Sequence, residues 1–212
     1  MNKLTCPTLL ILLLSLVTTV WAQQSAGEMT DYHCSFQDTA YLNGRPLLVT
    51  FSCHPKKKKL ATVGVGEYGR PAIDTTAAGR LVLPDSVTDC FGRRRLVTGV
   101  GRQAFAHCTR LTEVVMPDSL TSISDQAFYG CTALREVTLP PALIVIYPFA
   151  FRGCRQLSVV RVKCPKRPAV YDNIFDQQTL DRATLFVPAG RADHYANSLV
   201  FGMFHYRFEE LE

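Results

Sequence analysis

Three cysteines recur at a spacing of 23 residues, at Cys108, Cys131 and Cys154. Regularly spaced thiols could ligate a metal, form disulfides or act as nucleophiles. A zinc site is not indicated, because zinc ligands cluster at C-x-x-C type spacings and no histidine recurs with these cysteines. If these cysteines stack on adjacent coils about 4.8 Å apart, the distance between them would permit disulfides. Their parallel Cβ directions disfavour the bond, however, and three equivalent cysteines cannot all pair. The spacing therefore predicts a ladder of buried free thiols.

Other patterns that could support catalysis or cofactor binding are weaker. The segment GVGEYG at 64–69 matches G-x-G-x-x-G, but Arg70-Pro71 follow where a dinucleotide site needs a helix. The five histidines show no metal-binding spacing, and the chain has no G-x-S-x-G turn. Cys53 and His54 are adjacent, so they would point to opposite faces of a strand. We therefore expect no enzyme, no metal site and no cofactor.

The cysteine spacing is part of a longer repeat. The octets AFAHCTRL, AFYGCTAL and AFRGCRQL begin at positions 104, 127 and 150. Apolar columns superpose at the same offset: Val97, Leu120 and Leu143; Val100, Ile123 and Ile146; Val114, Val137 and Val160; Met116, Leu139 and Val162. Because no single unit can bury its own columns, the repeat predicts a solenoid in which stacked units bury Phe and Leu in the core.

Each unit contains a short alternating stretch, such as Val137-x-Leu139, which predicts a strand with one buried face. Stacked strands would form a parallel sheet, and the residues between buried positions would face outward in two rows. We expect a partner to contact these rows on the concave side, namely Glu113, Glu136 and Val159 in one row and Val115, Thr138 and Arg161 in the other. An ordinary solvated sheet face is the alternative. Tyr147 and Phe149 break the pattern, either as an exposed patch or as a local core adjustment.

These columns resemble the BspA-type leucine-rich repeat, a 23-residue class found in exported proteins of host-associated bacteria and some protists. The segment LTSISDQAFYGCTALREVTLP at 120–140 carries the resemblance most completely, and the match is specific over about residues 97–163. The resemblance implies a β-rich α/β solenoid, in which a short right-handed leucine-rich-repeat coil with a parallel sheet has a β-rich N-terminal cap and a helical C-terminal cap. The predicted boundaries are 23–78 for the first cap, 79–190 for the solenoid and 191–212 for the last cap.

The N-terminal cap is expected to contain a hairpin. Strand-like runs flank Asn43-Gly44, a dipeptide typical of tight hairpin turns. Pairing about this turn brings Cys34 and Cys53 near one another, so a disulfide between them is one prediction and two core cysteines are the alternative.

The first 22 residues have the composition of a secretory signal peptide. Lys3 precedes the apolar stretch Thr8–Trp21, and Val20-Trp21-Ala22 places small residues where signal peptidase cleaves. Seven cysteines would remain, so at least one is free or paired between chains. Cleavage would lower the net charge from +5 to +4, which is too small to indicate nucleic acid. Lys56–Lys59 is expected to be a solvated turn between strands, with a phosphate or membrane patch as the alternative.

The family's proteins are mostly described as adhesion or interaction modules. The resemblance therefore implies an exported module that binds a protein or glycan at the cell surface, as a secreted, surface-attached or periplasmic protein without a transmembrane segment. The alternative is a periplasmic or envelope scaffold without a specific ligand. The partner, the mode of attachment and the oligomeric state stay open.

Overall fold

The secondary structure is dominated by short strands. The computed structural model describes residues 34–53, 59–64, 70–171, 173–204 and 208–211, so the expected signal peptide at 1–22 lies outside the described residues. The strands are β1 Cys34–Leu42, β2 Arg45–Cys53, β3 Leu60–Val63, β4 Ala78–Val82, β5 Ser86–Thr88, β6 Arg94–Val100, β7 Arg110–Val115, β8 Ser122–Ile123, β9 Glu136–Leu139, β10 Val145–Ile146, β11 Val159–Val162, β12 Ala169–Val170, β13 Thr184–Pro188 and β14 Phe208–Leu211. The helical segments are α1 Gln177–Arg182, α2 Ala192–Ala196 and a 3-10 turn at Phe201–Met203.

The predicted hairpin is present at the start of the described chain. β1 and β2 pair antiparallel around Asn43 and Gly44, whose φ angles of 51° and 77° lie in the left-handed region required by a type I′ turn. The Asn43 side chain also pairs with β4. Its Oδ1 accepts the Arg80 N–H at 2.8 Å, and its Nδ2 donates to the Ala78 carbonyl at 2.9 Å. The turn therefore attaches the hairpin to β4.

Gly79 is the residue that admits the Asn43 amide. Its φ is +104°, and a Cβ at this position would lie 2.3 Å from Asn43 Oδ1. We expect Gly79→Ala to lower the free energy of unfolding by about 1–3 kcal/mol, because the backbone is strained and the amide must move. Gly92→Ala is the matched control, since Gly92 has a φ of +73° and no atom within 4 Å of the added Cβ. Urea unfolding should show the larger loss for Gly79→Ala, and equal losses would contradict the importance of the Asn43 contact.

Two parallel ladders run along the repeats as parts of one continuous sheet. The front ladder contains β4, β7, β9, β11, β13 and β14 in that order, and the back ladder contains β3, β6, β8, β10 and β12. The antiparallel strands β1 and β2 connect the two ladders at their N-terminal end, and β5 pairs with β6. The predicted solenoid with a parallel sheet is confirmed, and the back ladder adds a second set of parallel strands to it.

The core consists of side chains stacked from coil to coil. Phe105, Phe128, Phe151 and Phe175 form a column with successive ring-centroid distances of 5.2, 5.1 and 5.6 Å. The neighbouring columns are fully or almost fully buried, and they comprise Ala104, Ala127 and Ala150; Leu111, Leu134 and Leu157; and Val114, Val137 and Val160. The repeat columns predicted to be core are therefore confirmed as core.

One turn position in each coil has a left-handed backbone. Gln103, Gln126 and Phe149 have φ angles of 55°, 55° and 59°. The two glutamines form a side-chain ladder, in which Gln103 Nε2 donates to Gln126 Oε1 at 2.7 Å. Phe149 cannot extend this ladder and is half-buried, with its ring 5.4 Å from the Arg152 guanidinium. Tyr147 is 39 % exposed, so of the two off-pattern aromatics it is the one on the surface.

The C-terminal segment contains less helix than its sequence pattern suggested. Helix α2 ends at Ala196 with Asn197 as its C-cap, and the backbone then returns so closely that an added Cβ on Gly202 would clash with the Ala196 carbonyl oxygen. Tyr195 is fully buried and donates its hydroxyl to the Cys164 carbonyl at 3.0 Å, which fixes α2 against the last regular coil. Strand β14 follows and extends the front ladder by pairing with β13.

Candidate interaction surface

The outward side chains of the front ladder form two aligned rows, which we call the front face. Register pairs Glu113 with Glu136, Glu136 with Val159, and Thr138 with Arg161. Val115 lies two positions after Glu113 on β7, as Thr138 does after Glu136 on β9. All six side chains are half-buried. The structure therefore places the six residues singled out from the 23-residue spacing on one surface, although it shows no partner there.

Two ion pairs cross the front face. Arg80 Nε lies 2.9 Å from Glu113 Oε2, and Arg161 Nε lies 2.7 Å from Glu136 Oε1. Glu113 and Glu136 face each other directly, an arrangement that repulsion between like charges disfavours. Each carboxylate is compensated by the arginine on its outer side. From β4 to β11 the charged residues of the front face thus follow the order cation, anion, anion and cation.

Arg161 is the most constrained side chain of the front face. Its guanidinium carbon lies 4.3 Å from the ring centroid of Phe186 while its Nε donates to Glu136. A guanidinium over an aromatic ring gains about 0.5–1 kcal/mol at an exposed site, so this arrangement restricts the rotamers of Arg161. Arg161 therefore presents a planar, oriented group beside an aromatic ring on the front face.

Sequence reasoning missed two members of the front face. Phe186 pairs with Arg161 in the ladder but follows it by 25 residues, because the last coil contains α1 and departs from the 23-residue period. Arg80 pairs with Glu113 across a register shift between Gly79 and Arg80, and the β5–β6 hairpin lengthens this first coil. The alternation of apolar and polar residues in β4 and β13 would have identified both residues as outward-facing. The fixed 23-residue offset could not identify them.

A shallow groove of about 230 Å³ runs across the front face. Its lining includes Arg80, Glu113, Glu136, Thr138 and Lys163. Sites for small molecules usually have volumes of about 300–1,000 Å³ and are mostly apolar. This groove is smaller, and half of its lining residues are charged, so it suits single side chains of a larger partner.

The repeated cysteines lie inside the core, away from this surface. Cys108, Cys131 and Cys154 are buried free thiols, and the last two donate to the carbonyls of Phe105 and Phe128 at 3.0 and 3.2 Å. Burial raises the pKa of Cys108 to about 12 and raises the pKa values of Cys131 and Cys154 above their ordinary range as well. Neutral thiols are poor nucleophiles and poor metal ligands. The ladder is therefore a packing element, in which two thiols add a second hydrogen bond to carbonyls that already accept a backbone N–H.

The three ladder thiols should resist alkylation in the folded protein. At about pH 8 a free cysteine is partly thiolate, whereas the raised pKa and the burial of these three keep them neutral and shielded. We expect iodoacetamide to modify them only after denaturation, as measured peptide by peptide with mass spectrometry. Modification of the native protein at the rate of a small free thiol would contradict the ladder geometry.

Cys34 and Cys53 are directly opposite each other in the hairpin. They form the last register pair of β1 and β2, and Cys53 is buried. Opposed residues of antiparallel strands have Cα atoms about 4.5–5.5 Å apart, which is within the range that a disulfide needs. The pairing stays a prediction. Non-reducing peptide mapping of the exported protein should recover the two peptides linked, and separate alkylated peptides would show that they are not paired.

The remaining patterns considered for chemistry gain no support. Of the GVGEYG segment only Gly64 is described, since 65–69 lie outside the described residues, as do His33, His54 and His205. Within the parts of the chain that the structure describes, no group of three His, Cys, Asp or Glu side chains could hold a metal ion. Among those same residues, no helix is both long and apolar enough to cross a bilayer.

The fold defines a leucine-rich-repeat solenoid, with short coils, stacked core columns and an outward-facing ladder of mixed side chains. Comparison with family profiles refines this class. Residues 96–187 match the BspA type leucine rich repeat region in six copies. These residues therefore form a BspA-type leucine-rich repeat region.

Solved structures with a similar chain trace are bacterial. A leucine rich repeat protein of T. pallidum is 19 % identical, with 67 % of this chain and 70 % of that chain covered and a TM-score of 0.48. A leucine-rich repeat protein from Bacteroides capillosus is 27 % identical, with 54 % and 93 % covered and a TM-score of 0.38. A leucine rich cell surface protein from Faecalibacterium prausnitzii is 18 % identical, with 64 % and 57 % covered and a TM-score of 0.26. Comparison with curated proteins finds no match.

Proposed function

We propose that this protein is an exported interaction module that binds a protein partner through its front face at the cell surface. The observation that carries the proposal is the position of Arg161 between Glu136 and Phe186, on a ladder whose parallel strands hold these residues in register. The repeat region supplies the scaffold, and no catalytic step is part of the proposal.

A protein partner fits the chemistry of the front face. Arginine and aromatic residues dominate the binding energy of protein interfaces, particularly near the centre of a contact surface. The two ion pairs fix the arginines before a partner arrives, which lowers the conformational entropy lost on binding. The mixed charges and the shallow groove favour a surface of complementary side chains over a small ligand.

Charge reversal at Arg161 tests the surface. The purified chain, with an affinity tag, would be incubated with extracellular proteins from the organism's habitat, and captured proteins would be quantified by mass spectrometry. We expect Arg161→Glu to reduce the specific captured set at least tenfold, because it breaks the Glu136 pair and the Phe186 contact together. Arg102→Glu is the matched control, since Arg102 also forms an exposed ion pair, 3.3 Å from Asp125, outside the front face. Retained capture by Arg161→Glu would contradict the assignment of the front face.

Protease treatment of intact cells tests the location. The expected signal peptide supports export, and a surface module should be digested while a periplasmic control protein stays intact. Protection of this protein until the envelope is breached would contradict surface display and favour the periplasmic scaffold.

A further inference from the structure

A second exposed surface lies at the N-terminal end of the solenoid, around the turn that joins β5 and β6. It combines exposed apolar side chains with cations, and we call it the hairpin patch, comprising Lys59, Leu60, Phe91, Arg93, Arg94 and Leu96. The front face does not include any of these residues. The hairpin patch therefore needs an explanation of its own.

Strand pairing brings the strand residues of the patch together. Leu60 of β3 is the register partner of Leu96 of β6, and the Leu96 N–H donates to the Lys59 carbonyl at 2.8 Å. Leu60 and Leu96 are 37 % and 42 % exposed, although most large apolar side chains of the repeats are buried. Arg94 is exposed two residues before Leu96, and its Nε donates to Ser86 Oγ at 2.7 Å on the adjacent strand β5. An exposed leucine pair thus lies on the same face of the strands as Arg94.

The turn itself presents an aromatic ring. Phe91 is 67 % exposed, and the guanidinium carbon of Arg93 lies 5.1 Å from its ring centroid. The turn is rigid, because the buried Asp89 carboxylate accepts the N–H groups of Phe91 and Arg93, each at 2.9 Å. The buried Asp89 carboxylate therefore fixes the turn in a conformation that exposes the Phe91 ring to solvent.

The charges of the hairpin patch are mainly positive. Lys59, Arg93 and Arg94 are exposed cations. Among the described residues, Asp89 is buried against Arg95, Asp38 accepts the N–H groups of Thr39 and Thr88 at 2.7 Å, and Asp85 is an exposed carboxylate directly before β5. Lys56–Lys58 precede Lys59 in the sequence but lie outside the described residues, so they are not counted in the patch.

We propose that the hairpin patch binds an anionic lipid surface. Such a surface accepts both features at once, because cations attract acidic headgroups while an aromatic ring and leucines enter the boundary between headgroups and acyl chains. A soluble anionic polysaccharide would use the cations but offers no apolar region for Phe91, Leu60 and Leu96. The combination therefore favours a membrane over a polyanion. This contact would orient the solenoid on a membrane and leave the front face accessible to a partner.

Vesicle sedimentation with the purified full chain tests the proposal. Vesicles of phosphatidylcholine with about one-third phosphatidylglycerol should sediment the protein, and pure phosphatidylcholine should sediment much less. We expect Phe91→Ser to weaken vesicle binding at least tenfold, because an aromatic ring that enters the bilayer contributes strongly to partitioning. Replacing both Arg93 and Arg94 by Ser should weaken it roughly 25-fold, at about fivefold for each cation lost.

Matched controls separate the patch from general stickiness and net charge. Leu199→Ser removes a side chain elsewhere that is 88 % exposed. The double variant Arg110→Ser and Arg135→Ser removes two exposed arginines, one at the start of β7 and one directly before β9. Both controls should sediment like the wild-type protein. Equal sedimentation with neutral and anionic vesicles would overturn the proposal. It would also be overturned if the arginine variant lost binding, Phe91→Ser kept it and dextran sulfate competed, since the patch would then be a polyanion site.

Discussion

Phe128→Ala is expected to lower the free energy of unfolding by about 3–5 kcal/mol, the range typical of a large core side chain cut back to alanine. Phe128 is fully buried and stacks on Phe105 and Phe151, with ring centroids 5.2 and 5.1 Å away. Its removal leaves a cavity between two coils, because the backbone hydrogen bonds from Phe105 to Ala127 and from Phe128 to Ala150 hold the coil spacing. A loss of this size is a large fraction of the stability of an ordinary domain.

Two substitutions calibrate the effect at Phe128. Phe128→Leu should cost less, because leucine fills part of the cavity. Phe91→Ala should be nearly neutral in stability, because this ring is 67 % exposed. Urea unfolding measured by circular dichroism compares the three variants. A Phe128→Ala loss no larger than that of Phe91→Ala would contradict the stacked core.

Asp89→Asn should also destabilise the protein strongly, by about 3–5 kcal/mol, because it removes a carboxylate that pairs with the buried Arg95 charge. Asp89 and Arg95 are 4 % and 2 % exposed, and Asp89 Oδ2 accepts from Arg95 Nε at 2.7 Å. Asparagine keeps an oxygen for the N–H groups of Phe91 and Arg93, so the substitution tests the charge and largely spares the turn. Thermal and urea unfolding measure the loss.

A compensating substitution checks the origin of this loss. Asp89→Asn combined with Arg95→Met should be more stable than Asp89→Asn alone, because methionine removes the buried charge and keeps apolar volume. A double variant as unstable as the sum of the two single variants would contradict the pairing.

The same carboxylate predicts a dependence of stability on pH. Burial disfavours the charged form of Asp89, but hydrogen bonds from the Arg93 N–H, the Arg95 side chain and the Phe91 N–H outweigh burial and lower its pKa. A lowered pKa means that the stabilisation is complete above the unfolded value of about 3.9 and is lost as the pH falls through the folded value. The wild-type protein should therefore lose stability on acidification that Asp89→Asn does not lose, and parallel curves would show that Asp89 does not contribute.

The repeat period predicted the core and most of the front face, because residues that are one repeat apart in the sequence become neighbours when the coils stack. Residues 23 apart, such as Glu113 and Glu136, become register partners, and Phe105 and Phe128 become stacked rings. The period fails where a coil contains additional residues. Phe186 is the example, because α1 lengthens its coil and moves it off the offset.

Other features leave too weak a pattern in the sequence to be predicted. The back-ladder strands β8, β10 and β12 contain two residues each, which is too short for alternation to show. The segment DCFGRRR at 89–95 reads as an exposed charged turn, yet Asp89 and Arg95 are buried together while Phe91 is exposed. Burial of a charge pair depends on which strands meet across the solenoid, and local composition does not encode that.

Site-specific photocrosslinking on intact cells is the most direct test of the claim that the front face binds a protein partner. A photoreactive amino acid would replace Thr138 on β9 of the front ladder or, as the control, Ser122 on β8 of the back ladder. We predict a discrete crosslinked protein from position 138 that Arg161→Glu abolishes, and no such product from position 122. Crosslinks from 122 alone, or crosslinks from 138 that survive Arg161→Glu, would contradict the account.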